Sequence, residues 1–198
     1  SVALNESGSN GIIGATTLIF NNTKLNGNFK KDVLLLECDE RHLKLIFHKK
    51  KPTHLVITNL TRDQPARNGT PEIVFNDIKK AIDDSVHLII NADDPLVSRL
   101  KLTHQGKITT YGLDKTKYSY KKPTLNNVDF AYCPKCHQKL EYSNYHYGHL
   151  GDYKCPRCDF YRGTPDFLAT NINLEKQTIM INNEKINLNK NALYTAYA

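Results

Sequence analysis

Two cysteine pairs, Cys133-Pro-Lys-Cys136 and Cys155-Pro-Arg-Cys158, stand eighteen residues apart and constrain this chain more than any other feature. In each Cys-Pro-x-Cys knuckle a tight turn brings two thiolates to one side, and two knuckles complete a tetrahedral shell of four sulfur ligands. The pattern predicts a zinc ion held by Cys133, Cys136, Cys155 and Cys158. Paired disulfides or redox-active thiols are the competing readings, and neither needs two matched knuckles at this separation. Four thiolates leave no open position for water or substrate, so the zinc is expected to organise a fold and not to activate a nucleophile. His137, His146 and His149 lie within or between the knuckles. With the shell already full, they are expected at the surface or behind the ligands. The segment from about 130 to 161 has little apolar content of its own, so its folding is expected to depend on metal.

The chain has 198 residues, enough for one domain with a generous core that carries a small insert. Hydrophobic residues make up 39% and charged residues 24%, which fits a globular protein and argues against disordered, collagen-like and membrane classes. No apolar run approaches a membrane span and no leader peptide is evident, so a cytoplasmic protein is expected. Thiols arranged for metal suit a reducing compartment. The fifth cysteine, Cys38, ends an apolar strand and reads as a small buried hydrophobe. A net charge of +7 permits attraction to nucleic acid, an anionic membrane face or a phosphorylated substrate without choosing among them. Lys49-Lys50-Lys51 reads as a solvated turn.

Residues 33–37 form an apolar run ending in an acid, the pattern of a buried parallel strand. Leu55-Val-Ile-Thr58 and Leu88-Ile-Ile90 repeat it, each followed by a polar cluster. Between these two, Pro71 to Ile82 places Ile73, Val74, Ile78, Ala81 and Ile82 at helical spacing behind a proline suited to a helix start. Strands alternating with helices predict an α/β fold, a doubly wound and mostly parallel sheet, with ligands beyond the carboxyl ends of the strands. Pro95 is expected to open a helix through Leu100, and Ile108 to Tyr111 a strand ending at Gly112. Residues 115–127 read as a polar linker. Phe167 to Asn173 and Gln177 to Ile181 are expected as antiparallel strands with a turn at Asn182-Asn183.

The strand-end clusters each admit a plain reading. Glu37, Asp39 and Glu40 could hold Mg2+ beside phosphates, or cap a helix. Asn59, Asp63 and Gln64 could be turn chemistry, and Asn91-Ala-Asp-Asp-Pro95 could be a helix N-terminus capped by Asp93 or Asp94. Their order is more informative. Glu-x-Asp-Glu, then Thr-Asn-x-x-Arg-Asp-Gln, then Asn-Ala-Asp-Asp-Pro-Leu-Val-Ser-Arg-Leu, each after an apolar strand and followed by a four-cysteine insert, resemble the central domain of the Mur ligase family. Within it the chain resembles the amide ligases whose central domain carries a zinc-ribbon insert of this kind. The likeness runs from Asn5-Glu6 and the Gly8 to Gly14 stretch to Asn191-Ala-Leu.

That resemblance implies a central ATP-binding domain over residues 1–128 and 163–198, interrupted by a zinc ribbon over 129–162. It implies an enzyme of cell-wall peptidoglycan synthesis that phosphorylates the α-carboxyl of D-glutamate in the lipid II stem peptide with ATP. Ammonia from a GatD-like glutamine amidotransferase then forms D-isoglutamine at the inner membrane face. By the same resemblance Glu37 is a Mg2+ ligand, Asp63 and Gln64 lie near the phosphates, Asn91 contacts adenine, and Asp94 belongs to the nucleotide site.

Three departures accompany the likeness. The phosphate-binding loop of the family is expected upstream of Ser1, since neither Gly-Lys-Thr nor Gly-Lys-Ser occurs in the chain. The family's closing C-terminal domain is expected beyond Ala198. Pro65-Ala66-Arg67-Asn68-Gly69 stands where the family reads close to Leu-Asp-Arg-Tyr-Gly. The chain by itself is therefore expected to be inactive. Two alternatives are a non-catalytic relative and a ribbon module in which Tyr142, Tyr145, Tyr147 and Tyr153 contact nucleic acid or a partner protein.

Overall fold

Leu88 and Ile90 have no exposed surface, because their strand has a hydrogen-bonded neighbour on each side and helices over the sheet. The computed structural model describes residues 1–5, 9–61, 70–124 and 131–188. Glu6, Gly8, Asp63, Gln64, Pro65 to Gly69, Phe130 and Asn191, all singled out above, lie outside the described residues. The strands are β1 Val2–Leu4, β2 Val33–Leu35, β3 His54–Ile57, β4 His87–Asn91, β5 Ile108–Leu113, β6 Glu141–Tyr147, β7 Leu150–Lys154, β8 Phe167–Asn173, β9 Thr178–Ile181 and β10 Glu184–Asn187. The helices are α1 Ile12–Asn21, α2 Glu40–Ile46, α3 Pro71–Ala81 and α4 Pro95–Ser98, the last continued as a 3-10 turn Arg99–Leu102.

Six strands form the main sheet in the order β10-β9-β8-β5-β4-β3. β3, β4, β5 and β8 run parallel, and β9 and β10 add an antiparallel meander. The fold is thus α/β with a mostly parallel sheet. Asn182 and Asn183 make the last turn with φ of 46° and 74°, a left-handed geometry that asparagine tolerates better than most residues.

Helix α3 shows why these residues choose a helix and where it docks. Val74, Phe75, Ile78 and Ala81 fall on one face and are buried against Leu88, Ile90, Leu96 and Leu100. Val74, Phe75 and Ile78 each contribute about 1.5–3 kcal/mol through burial, and Ala81 less. Pro71 fits the first turn, Lys79 and Lys80 suit the last turn electrostatically, and Ile82 leaves helical geometry. Asp77 ties α3 to α2 by accepting from Lys44 at 2.8 Å, and that ammonium group is the first cause of its lowered pKa.

Two expectations change. The run at 33–37 reads as a buried parallel strand; β2 is parallel, but among the described residues it pairs only with β1, and Val33 and Leu35 are each more than half exposed. An apolar run reports what a strand can bury, not which neighbour covers it. Gly112 lies within β5, not at its end, and the helix after Pro95 tightens into 3-10 geometry after one turn.

Parallel neighbours need a long crossover. Between β5 and β8 the described residues of that crossover hold the four-cysteine segment and the β6-β7 hairpin and no helix. It leaves from the carboxyl end of β5, the side of the sheet on which the loop after β4 also lies. Asp166 closes the return by accepting from the Thr110 backbone N–H at 2.7 Å and its hydroxyl at 2.8 Å.

Candidate metal centre and strand-end site

The sulfur atoms of Cys133, Cys136, Cys155 and Cys158 all lie within 4.8 Å of one another. Cys133 and Cys158 approach to 3.5 Å and Cys136 and Cys155 to 3.4 Å. Each knuckle turns a backbone N–H toward its first sulfur: Lys135 to Cys133 and Arg157 to Cys155, both at 3.4 Å. Such donors stabilise thiolate charge. In Cys155, burial acts to raise the pKa but the N–H groups of Arg157 and Cys158 outweigh it, bringing the thiol to about 7. Burial raises Cys133. Four sulfurs this close cannot all ionise unless a cation joins them. A soft four-thiolate set at this geometry fits zinc.

The ribbon has a small core of Leu140, Tyr153 and Phe160 built around Cys133 and Cys155. Tyr142 stacks on Tyr145 with ring centroids 4.3 Å apart, and Tyr153 is 1% exposed. Most of the tyrosines considered for base stacking therefore pack within the ribbon, while Tyr147 is exposed. His137 lies at the surface as expected. His146 and His149 do not: they are 2% and 3% exposed, because the hairpin lays them against the loop that follows β4.

That loop is the second part of the site. Asn91 ends β4, is buried, and accepts the Asp93 N–H on Oδ1 at 2.9 Å, which sets the turn. Asp94 is the helix cap, accepting from Leu96 and Val97 on Oδ1, and it also accepts from Leu60 N–H on Oδ2 at 2.8 Å and from His149 Nε2 on Oδ1 at 3.1 Å. Asp93 faces the other way. It accepts from Leu113 N–H at 2.8 Å and from Arg162 Nε at 2.5 Å. Burial raises the Asp93 pKa, with Arg162 opposing, and burial lowers that of His146. Arg162 and His146 both donate to the Leu113 carbonyl, at 2.9 Å each. Gly112 makes room for this arrangement, since a Cβ there would lie 2.7 Å from both the Arg162 guanidinium and the Asp93 carboxylate.

Glu37 is exposed two residues past β2, where its backbone N–H and C=O are both bonded to the Asn5 amide. Asp39, in contrast, caps α2 by accepting from Arg41 N–H at 3.0 Å, and its carboxylate pairs with the Arg41 side chain, which lowers its pKa. Asn91 and Glu37 thus lie at the carboxyl ends of strands in two different sheets; Asp63 and Gln64 fall outside the described residues. Sequence reasoning missed Arg162, and it gave His146 and His149 no part in the loop. The available signal was Asp93-Asp94 before Pro95: one acid suffices as the cap, so the second, if buried, needs a cation.

No family model matches the chain. It is 32% identical to the MurT subunit of lipid II isoglutaminyl synthase (glutamine-hydrolyzing) from Staphylococcus aureus strains COL and N315, over 96% of this chain and 44% of each relative. It is 30% identical to the MurT subunit from Streptococcus pneumoniae, over 99% of this chain and again 44% of the relative. The chain therefore spans less than half the length of the curated relatives it matches. Among solved structures, a pseudomurein peptide ligase type C from Methanothermus fervidus superposes with a TM-score of 0.60 at 22% identity, over 83% of this chain and 34% of that one.

Proposed function

We propose that this chain, a homologue of MurT over 96% of its length, is the nucleotide-binding part of an amide ligase acting on the D-glutamate α-carboxyl of the lipid II stem peptide. The carboxylate takes the terminal phosphoryl group of ATP and ADP leaves. Ammonia then attacks the acyl carbon and phosphate departs, giving D-isoglutamine. Ammonia is supplied by a GatD-like glutamine amidotransferase, in keeping with the glutamine-hydrolyzing name of the relatives. The observation that carries the reading is an alignment extending through both the strand-end clusters and the cysteine knuckles.

Residue roles are carried over from the resemblance and are consistent with the chemistry. Glu37 offers an exposed hard carboxylate suited to Mg2+. By the likeness to MurT, Asp63 and Gln64 are assigned to the phosphate region and Asn91, whose Oδ1 is already taken by the Asp93 N–H, to the adenine end through its amide NH2. Mg2+ neutralises charge on the transferring group when bound, while the chain's carboxylates and amides hold and orient it. Asp94 has no exposed surface and accepts from four N–H donors within the protein, so its role is to shape the loop and not to touch nucleotide. Zinc is structural. Among the described residues no helix is long and apolar enough to cross a membrane, and the lipid-linked acceptor would be met at the inner membrane face from the cytoplasm.

The test uses the full-length ligase with its glutaminase, a D-glutamyl lipid II analogue, ATP and glutamine. Glu37→Ala is expected to lower the amidation rate by roughly 10²-fold or more. Undiminished turnover would remove Glu37 from the metal site, and no ATP-dependent amidation by the unmutated ligase would overturn the reading.

A further inference from the structure

The ribbon is joined to the loop after β4 through buried polar contacts. His149 at the hairpin tip meets Asp94, Arg162 beyond the second knuckle meets Asp93, and Gly151 N–H donates to the Asp93 carbonyl at 2.9 Å. His149 and Arg162 are 3% and 9% exposed, and Asp93 and Asp94 are 4% and 0% exposed. Both donors are pinned by the ribbon itself. The His149 carbonyl accepts from the Tyr142 hydroxyl at 3.0 Å. After the second knuckle the chain folds back on β7, with Cys155 N–H on the Phe160 carbonyl and Arg162 N–H on the Tyr153 carbonyl. Two of the five buried residues of the ribbon core are metal-site cysteines, so a ribbon without metal keeps little to hold this geometry.

We propose that the zinc ribbon holds the loop Asn91–Asp94 in shape, with Arg162 and His149 as positioning residues. Metal at Cys133, Cys136, Cys155 and Cys158 thereby governs the affinity of the adjoining site for an adenine nucleotide. The link from metal to loop stands on the contacts above; the link to nucleotide rests on the Asn91 assignment proposed in the preceding section. Physically, loss of the ribbon leaves two buried carboxylates short of donors, and the loop opens to let water replace them.

The experiment is amide hydrogen exchange on the full-length ligase, zinc-loaded and after chelation, with the affinity for a fluorescent ATP analogue measured in parallel. Chelation and His149→Ala are each expected to speed exchange of the Leu60, Leu96 and Val97 amides by roughly tenfold or more while α3 stays protected. His149→Ala is expected to retain its zinc, and His149→Gln, which keeps an N–H donor, to restore protection. Nucleotide affinity is expected to fall roughly tenfold with the loop and to recover when zinc is restored. Unchanged loop exchange after chelation, or equal loosening of α3, would overturn the proposal. So would nucleotide affinity that survives chelation but disappears in Asn91→Ala, a result that leaves the site assignment standing. Loop loosening on chelation of a ligase that binds no nucleotide even when zinc-loaded would instead overturn that assignment and keep the metal-to-loop link.

Discussion

The loop after β4 and the β1-β2 unit both sit where strands end, yet they are built in opposite ways. Around the first, Asp93 and Asp94 are buried, Leu96 and Val97 are at most 1% exposed, and ribbon residues more than 50 positions away in sequence supply donors. Around the second, Val2, Leu4, Val33 and Leu35 are all more than half exposed, and α1 leaves Ile13 84% and Phe20 78% exposed. The first region has its stabilising contacts within the chain, whereas the second presents apolar surface to solvent. Substitutions should therefore separate the two regions sharply.

The largest effect is expected from the metal. Cys133→Ser should release zinc and remove most of the binding energy, on the order of 10 kcal/mol, that folds the ribbon itself, read as lost metal stoichiometry and lost amide protection of the β6-β7 hairpin while α3 stays protected. Arg162→Ala comes next. It leaves Asp93 buried without its cation, expected to cost about 3–5 kcal/mol in denaturant unfolding. Should the loss fall below about 1 kcal/mol, Asp93 would have found water or a proton, and the braced character of this loop would be in error. Gly112→Ala pushes a methyl between Arg162 and Asp93 and is expected to cost about 1–3 kcal/mol. The smallest effect is expected in the other region, where Phe20→Ser should change stability by no more than about 0.5 kcal/mol. A large loss there would mean that α1 is covered in solution, and the contrast would collapse.

Local chemistry made several features legible beforehand. The knuckles announced themselves because two thiolates on one turn require that spacing. Helix α3 was legible from Val74, Ile78 and Ala81, and the Asn182-Asn183 turn from residues that accept left-handed backbone. The division of labour between Asp93 and Asp94 was not legible. Their partners, Arg162, His149, Leu113 and Leu60, lie between 20 and 69 positions away. β2 misled for a related reason: Val33-Leu34-Leu35 has the composition of a central strand, and burial depends on neighbours that its own pattern does not name.

The amino-acid sequence alone marked the four cysteines as a candidate metal set, the alternation of strands and helices, the start of α3 at Pro71 and the Asn182-Asn183 turn, because each depends on side chains a few residues apart. Tertiary structure decided that the ribbon is the crossover between β5 and β8 and that its histidine and arginine brace the loop after β4. A buried charge takes its partner from whatever the folded chain brings within hydrogen-bond reach, and that reach is set in space, not along the chain.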